Sequence, residues 1–157
     1  MKIEIGIPKK NLQKAIELLE ITLSDEMILY TKTRKFHWNV SGESFMELHK
    51  LFEGQYQELE EIIDEVAERI NKLGGKTIGT MKEFLQLTRL EESPAKYPMQ
   101  NEMIKELLSD NELLTQHLRK DIDECADKLK DAGTADFLTG TMEKHETIAW
   151  KLRRYLV

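Results

Sequence analysis

Apolar side chains recur every three or four residues through almost the whole chain, which is the spacing of an α-helix rather than of a β-strand. The chain has 8 Gly and 3 Pro among 157 residues, too few for a small domain of short strands. At this length we expect a single domain over residues 1–157. The predicted long helices are Asn11–Trp38, a second from Glu43 or Ser44 to Leu73, Gln100–Lys130 and Ala135–Leu156.

Turn residues separate these helices and set their order in space. Asn39–Gly42 provides a turn after the first helix, Gly74-Gly75 a stop after the second, and Gly133-Thr134 a break before the last. The join between the second and third helices is long and includes a short predicted helix at Met81–Thr88. A long connection lets one helix pair cross to the far end of a bundle, as in ferritin-like folds. The predicted fold class is therefore all-α, a four-helix bundle with a short helix in its long connection.

Charge and composition exclude several kinds of function. The chain has 29 acidic and 23 basic residues, net −6, which argues against non-specific DNA binding as its main activity. Its longest apolar run is Met27–Tyr30, far short of the roughly 20 residues of a membrane span. Glu4 and Lys9-Lys10 interrupt any signal-peptide core. Cys125 is a single cysteine and has no intrachain disulfide partner, so we expect a cytoplasmic protein.

Five side chains of metal-ligating type follow the helical pattern. His37 ends the first helix and His49 lies one turn into the second, so the intervening reversal is expected to bring them together. The pairs His49/Glu53 and Asp64/Glu68 are each four residues apart, which places both members of a pair on one face of a helix. Bundles bind metals through inward Glu, Asp and His side chains. These five residues are the candidate metal site.

The five candidate ligands of a single chain cannot all reach the same metal ion. His49 and Asp64 are fifteen positions apart, or about 22 Å along a straight helix, whereas a metal ligand lies about 2 Å from its ion. Two copies of the second helix, packed antiparallel about a two-fold axis near residues 56–57, would bring position 49 of one chain to position 64 of the other. The pattern thus predicts a symmetric dimer with two identical sites.

The other reactive side chains receive simpler interpretations. Because acidic residues are abundant in the second helix, Asp64 or Glu68 taken alone is more simply interpreted as a solvated residue. His117 and His145 have no acidic partner at ligand spacing, and we expect them at the surface or at an interface. Cys125 occupies an inward helical position and is predicted to be a small buried hydrophobe.

Specific sequence stretches add to this pattern. They are Thr33–Gly42, which contains His-Trp-Asn, Phe45–Glu53, Asp64–Ile70, Leu73–Gly75, Ile78–Thr80, Glu83-Phe84 and Thr134–Thr139. At these spacings the chain strongly resembles the Dps family, the mini-ferritins also called DNA-binding proteins from starved cells. The resemblance covers nearly the whole chain.

The resemblance implies an iron-storage and detoxification protein, a ferroxidase of the oxidoreductase class. The family forms a hollow dodecamer built from two-fold dimers, with a di-iron centre at each dimer interface. It oxidises Fe(II) to Fe(III), preferentially with hydrogen peroxide, stores ferric mineral inside the shell and protects against oxidative stress. Carried over by position, His37, His49, Asp64 and Glu68 match the ligands. Glu53 matches a further carboxylate ligand, at a position where many members have Asp.

The resemblance also implies three further acids and one aromatic residue near functional positions. In the family an acidic pore at a three-fold axis admits iron, and its residues lie near the start of the last helix. Asp136 is the best match, and Asp131 and Asp127 align more loosely. Trp38 matches an aromatic beside the metal site, and plain packing is its alternative role.

Two other functions remain open on sequence alone. Some relatives bind DNA non-specifically through mobile basic tails, and the alternative prediction is therefore a nucleoid-associated protein that shields DNA. The third interpretation is a bundle that keeps the fold without the metal site. That interpretation predicts no Fe(II)-dependent peroxide consumption and no effect of replacing His37 and His49.

Overall fold

Long helices dominate the structure, as the periodicity predicts. The computed structural model of the chain describes residues 3–157, and no strand occurs among them. The all-α fold class is therefore confirmed. The helices are α1 Lys9–Asn39, α2 Phe45–Lys72, α3 Met81–Leu87, α4 Gln100–Asp123 and α5 Ala132–Arg154, with a π-helical turn at Glu124–Lys128.

The four long helices pair as two hairpins, α1 with α2 and α4 with α5. Two hydrogen bonds set the register between the hairpins. The Lys32 ammonium donates to Asp110 at 2.6 Å, and the Asn11 side chain donates to the Leu129 carbonyl at 2.9 Å. Because the start of α1 meets the end of α4, these two helices run antiparallel. The connection from α2 to α4 must therefore traverse the length of the bundle.

Apolar side chains from all four long helices meet along the bundle axis. Leu19, Leu29, Phe36, Phe52 and Leu107 have no exposed surface. Each side chain of this size contributes about 1.5–3 kcal/mol of burial free energy, which makes the core the main source of stability. No helix in residues 3–157 has both the length and the apolar content that crossing a bilayer requires.

Buried ion pairs anchor the long connection to the bundle. Asp25 of α1 is fully buried and accepts hydrogen bonds from the Thr88 hydroxyl at 3.0 Å, the Arg89 amide at 2.6 Å and Arg89 Nε at 2.7 Å. Arg89 Nη1 also donates to Asp121 of α4 at 2.8 Å. The chain just after α3 is thereby tied to both hairpins.

The end of α4 differs from the prediction of a uniform helix to Lys130. Residues Glu124–Lys128 form a π-helical turn, and the chain reverses at Lys130, whose φ is +56°. Gly133-Thr134 is not the break, because α5 already begins at Ala132. Helix α5 ends at Arg154 rather than at the predicted Leu156, and Tyr155 just beyond it has 41% of its surface exposed.

Cys125 lies inside the π-helical turn and is completely buried, as predicted for a small hydrophobe. Burial, helped by the nearby carboxylates of Asp131, Asp121 and Glu124, raises the pKa of the Cys125 thiol to about 12. Because the thiolate is the reactive form, this side chain is chemically inert in the folded protein.

Candidate metal centre

The two candidate histidines meet where α1 and α2 join. Their rings stack with centroids 3.8 Å apart and planes inclined by 20°. His37 belongs to the last turn of α1 and is buried, and His49 lies in the first turns of α2 and is half-buried. The reversal at residues 40–44 therefore brings the pair together, as the sequence predicts.

Reciprocal hydrogen bonds orient both rings. His37 Nδ1 lies 2.8 Å from the backbone oxygen of His49, and His49 Nδ1 lies 2.9 Å from the backbone oxygen of His37. A carbonyl oxygen only accepts, so each Nδ1 carries hydrogen and donates. In the neutral ring the lone pair is then on Nε2. Metal-binding histidines characteristically donate their other ring nitrogen to such a partner, which fixes the tautomer and the ring direction.

An aromatic and cationic cluster borders the histidine pair. The Tyr56 ring lies edge-on to His37, with centroids 5.2 Å apart, and the Arg34 guanidinium stacks 4.5 Å from the Tyr56 centroid. Arg34 also lies 5.4 Å from the Trp38 ring and donates to the Tyr30 hydroxyl at 2.7 Å. Trp38 is 65% exposed, so it does not pack in the core of its own subunit.

The candidate acids lie apart from the histidines. Asp64 and Glu68 are exposed on α2, and Glu68 pairs with Lys72 at 3.0 Å. Glu53 lies one turn after His49 and is half-buried. Because α2 is continuous from Phe45 to Lys72, the separation of about 22 Å between positions 49 and 64 applies. Within residues 3–157, no three His, Cys, Asp or Glu side chains of one chain converge as a metal site.

The candidate pore acids occupy three different environments. Asp136 is exposed in the second turn of α5. Asp131 is buried as the N-cap of α5, where it accepts from the Thr134 amide at 2.9 Å and lies 3.4 Å from Arg69 Nη2. Asp127 is exposed in the π-helical turn. Asp131 thus already caps a helix and forms an ion pair, while Asp136 and Asp127 face solvent in the single subunit.

The prediction for His145 is wrong. This residue is fully buried, and its ring contacts Glu26 at 2.8 Å and Asn111 at 2.9 Å. Sequence spacing offered a signal, because position 145 continues the apolar stripe of Leu138, Met142 and Ile148. His117 is half-buried, and burial together with the nearby Arg89 cation lowers its pKa.

Comparisons with known proteins agree with the helical architecture. A family model described as a ferritin-like domain matches residues 16–157. The chain is 45% identical over 155 residues to a low temperature-induced protein of Nostoc sp., covering 99% of this chain and 87% of that one. It is 39% identical over 144 residues to DNA protection during starvation protein 2 of Bacillus anthracis, covering 92% and 97%. A crystal structure from Vibrio cholerae superposes with a TM-score of 0.92 at 26% identity, covering 99% and 97%. Its description names a Dps protein of the ferritin-like diiron-carboxylate superfamily.

Proposed function

The chain belongs to the Dps family of ferritin-like proteins, and we propose that it oxidises Fe(II) with hydrogen peroxide and stores the ferric product inside a hollow shell. The observation that carries the proposal is the stacked pair of His37 and His49, each with Nδ1 held by the other's backbone oxygen. This arrangement presents two Nε2 lone pairs at one end of the bundle. Imidazole nitrogen is a good ligand for iron.

A second subunit completes the proposed site. With two α2 helices antiparallel about an axis near residues 56–57, His37, His49 and Glu53 of one subunit face Asp64 and Glu68 of the other. Two facts support this packing. Asp64 and Glu68 are exposed in the single subunit, whereas Ile62, Val66 and Ile70 of the same helix are buried in its own core. The acids therefore lie on a face of α2 that is free to meet a second copy.

The ligand set suits the proposed chemistry. Imidazole with carboxylate binds Fe(II), and the carboxylates of Glu53, Asp64 and Glu68 favour the harder Fe(III) product. Two Fe(II) ions give one electron each to hydrogen peroxide, its O–O bond breaks, and two protons complete two waters. Glu53 and Glu68 are placed to accept protons when ferric iron hydrolyses. Consuming both reactants together prevents hydroxyl-radical formation.

The proposed assembly is a dodecamer in the cytoplasm. Twelve subunits built from two-fold dimers enclose the mineral, and Fe(II) enters through a pore lined by Asp136, with Asp131 and Asp127 nearby. The exposure of Asp136 supports this role, because an acid that guides cations must reach solvent. The single buried cysteine fits a reducing compartment.

A crystal soaked with Fe(II) and measured by anomalous scattering tests the site. We expect a peak at the boundary of two subunits, about 2.0–2.2 Å from Nε2 of His37 and from the carboxylates of Asp64 and Glu68 of the second subunit. Glu61→Gln changes an exposed acid of the same helix and should leave the peak in place. A peak elsewhere, or a well-ordered dimer interface without one, would contradict the proposal.

DNA protection is the competing function, since the Bacillus anthracis relative has that name. Lys9, Lys10 and Lys14 are exposed at the start of α1, but the net charge of −6 opposes binding to phosphates. In a gel-shift assay at low salt, we expect DNA to keep its free mobility at micromolar protein. A shift that disappears in about 0.2 M salt and in a Lys9→Glu/Lys10→Glu variant would favour DNA binding instead.

A further inference from the structure

A cluster of polar side chains lies in the centre of the bundle, away from the histidine pair. This core cluster consists of Glu26 and His145, with 0% of their surface exposed, Asn111 with 2% and Gln55 with 3%. Each of the four long helices contributes one member. Burying polar groups in an apolar core costs free energy unless each group has a hydrogen-bonding or ionic partner. The hydrogen bonds of the core cluster therefore decide whether this cost is offset.

Hydrogen bonds define where the protons of the cluster lie. Asn111 Nδ2 donates to the Leu107 carbonyl at 2.7 Å, which turns Asn111 Oδ1 toward His145. His145 Nδ1 lies 2.9 Å from that oxygen and therefore carries a hydrogen. His145 Nε2 and Glu26 Oε1, 2.8 Å apart, then share a single proton. Asn111 orients His145 just as the backbone oxygens orient His37 and His49.

Three polar atoms of the cluster have no hydrogen-bond partner among residues 3–157. They are Glu26 Oε2 and both side-chain polar atoms of Gln55. A buried donor or acceptor left without a partner costs about 1–3 kcal/mol. Native proteins seldom keep such groups together without a bound water or ion.

The helix registers place Gln55 at the level of Asn111, about one turn from Glu26 along α1. Its neighbour Tyr56 contacts Tyr30, with ring centroids 6.2 Å apart. Asp110, which directly precedes the cluster's asparagine, bonds Lys32. Positions 30 and 32 are neighbours on α1, so the glutamine of α2 and the asparagine of α4 lie at one height along the bundle axis.

We propose that the core cluster binds one divalent transition-metal ion inside each subunit. Glu26 and His145 Nε2 are the ligands, and Oε2 of the same Glu26 carboxylate is an unpartnered oxygen beside them. Two ligand atoms each about 2.1 Å from an ion and at right angles are about 3.0 Å apart, close to the 2.8 Å between Nε2 and Oε1. The ion displaces the shared proton, and nitrogen with oxygen ligands suits Fe²⁺, Co²⁺ or Zn²⁺.

This site is separate from the proposed ferroxidase site. Glu26 precedes His37 by eleven positions, or about 16 Å along α1, and every ligand comes from one subunit. Because Glu26 and His145 are fully buried, an ion reaches them only when the bundle opens locally. Binding at the core cluster should therefore be slow, and it does not require the two-fold interface.

Binding of Co²⁺ to the His37→Ala/His49→Ala protein, used as the full-length oligomer, tests this proposal. After metal removal, long incubation with Co²⁺ and gel filtration, we expect about one retained ion per chain, with visible absorption bands of nitrogen- and oxygen-bound Co²⁺. Adding Glu26→Gln or His145→Gln should reduce retention at least about tenfold. Asp110→Asn, next to the cluster and outside it, should retain the ion.

Proton release provides a second readout that needs no core substitution. In weakly buffered solution, the His37→Ala/His49→Ala protein should release about one proton per Co²⁺ bound, since the ion replaces the proton shared by Glu26 and His145. Retention of no Co²⁺, binding without proton release, or undiminished retention in folded Glu26→Gln and His145→Gln proteins would each overturn the proposal. Both histidine ligands of the proposed ferroxidase site are absent from this background, so the outcome is independent of the proposed function.

Discussion

Co-assembly of two inactive variants in equal amounts is expected to restore about one quarter of the wild-type iron-oxidation sites. One variant is His37→Ala/His49→Ala and the other is Asp64→Asn/Glu68→Gln, and each alone should lose at least about 100-fold in rate. In a mixed dimer, one site takes both histidines and both acids from unmutated positions, and the other site lacks all four. Random pairing makes half of the dimers mixed. The initial rate of ferric absorbance with Fe(II) and hydrogen peroxide measures the recovery.

A matched mixture tests whether recovery depends on sharing between subunits. His37→Ala co-assembled with His49→Ala places both defects on the histidine side, so every site lacks one histidine and no recovery is expected. Native mass spectrometry shows whether the subunits have mixed. Recovery in this control, or none in a well-mixed sample of the complementary variants, would rule out a site shared across a two-fold axis.

Replacing Asp25 by Ala should lower the free energy of unfolding by about 3 kcal/mol. The substitution removes the acceptor for the Thr88 hydroxyl and the Arg89 amide and leaves the Arg89 guanidinium with Asp121 alone. It thereby releases the long connection from α1. Chemical denaturation at a fixed protein concentration measures the change, because subunit association contributes to apparent stability.

Two further variants separate the ion-pair network from general effects of removing a charge. Asp25→Asn keeps one acceptor oxygen and should fall between Asp25→Ala and the unmodified protein. Glu17→Gln, an exposed acid on the same helix, should change stability by less than about 0.5 kcal/mol. An Asp25→Ala protein that unfolds at the unmodified protein's denaturant concentration would show that the connection is fixed by other contacts.

Periodicity predicted the long helices well because burial in a bundle imposes the same three- and four-residue spacing that the sequence displays. It failed at the end of α4, where the reversal depends on backbone hydrogen bonds between residues five and six positions apart. The Leu129 amide bonds the Glu124 carbonyl at 3.0 Å, and the Asp131 amide bonds the Cys125 carbonyl at 2.9 Å. The buried positions Asp121, Cys125 and Leu129 still recur every four residues through this turn, so the sequence pattern did not reveal it.

Gly133 illustrates why a turn residue can mislead. A Cβ at this position would lie 2.9 Å from Arg69 Nη2, so the glycine gives room for the guanidinium beside the N-cap Asp131. The local sequence suggested a helix break, whereas the requirement comes from a side chain of α2, more than sixty residues earlier. A contact between residues so far apart in sequence cannot be predicted from the residues next to Gly133.

The candidate site was only partly predictable. Spacing on either side of a turn was enough to pair His37 with His49, since the α1–α2 hairpin has few ways to close. The bonds from each Nδ1 to a backbone oxygen follow from the path of residues 40–44 and have no sequence signature. Glu26 and His145 were missed because their partners come from distant helices, although both occupy inward positions of their own helices.

The hydrogen bonds that orient His37 and His49 end on main-chain oxygens, so each acceptor survives when the side chain at its own position is exchanged. A substitution at one position therefore leaves the hydrogen bond that orients the other imidazole in place. The metal-binding atom at one position can be changed without changing the orientation of the other ring. This hairpin is therefore a suitable scaffold for altering metal preference. Cysteine or aspartate can replace either histidine while the remaining ring keeps its orientation.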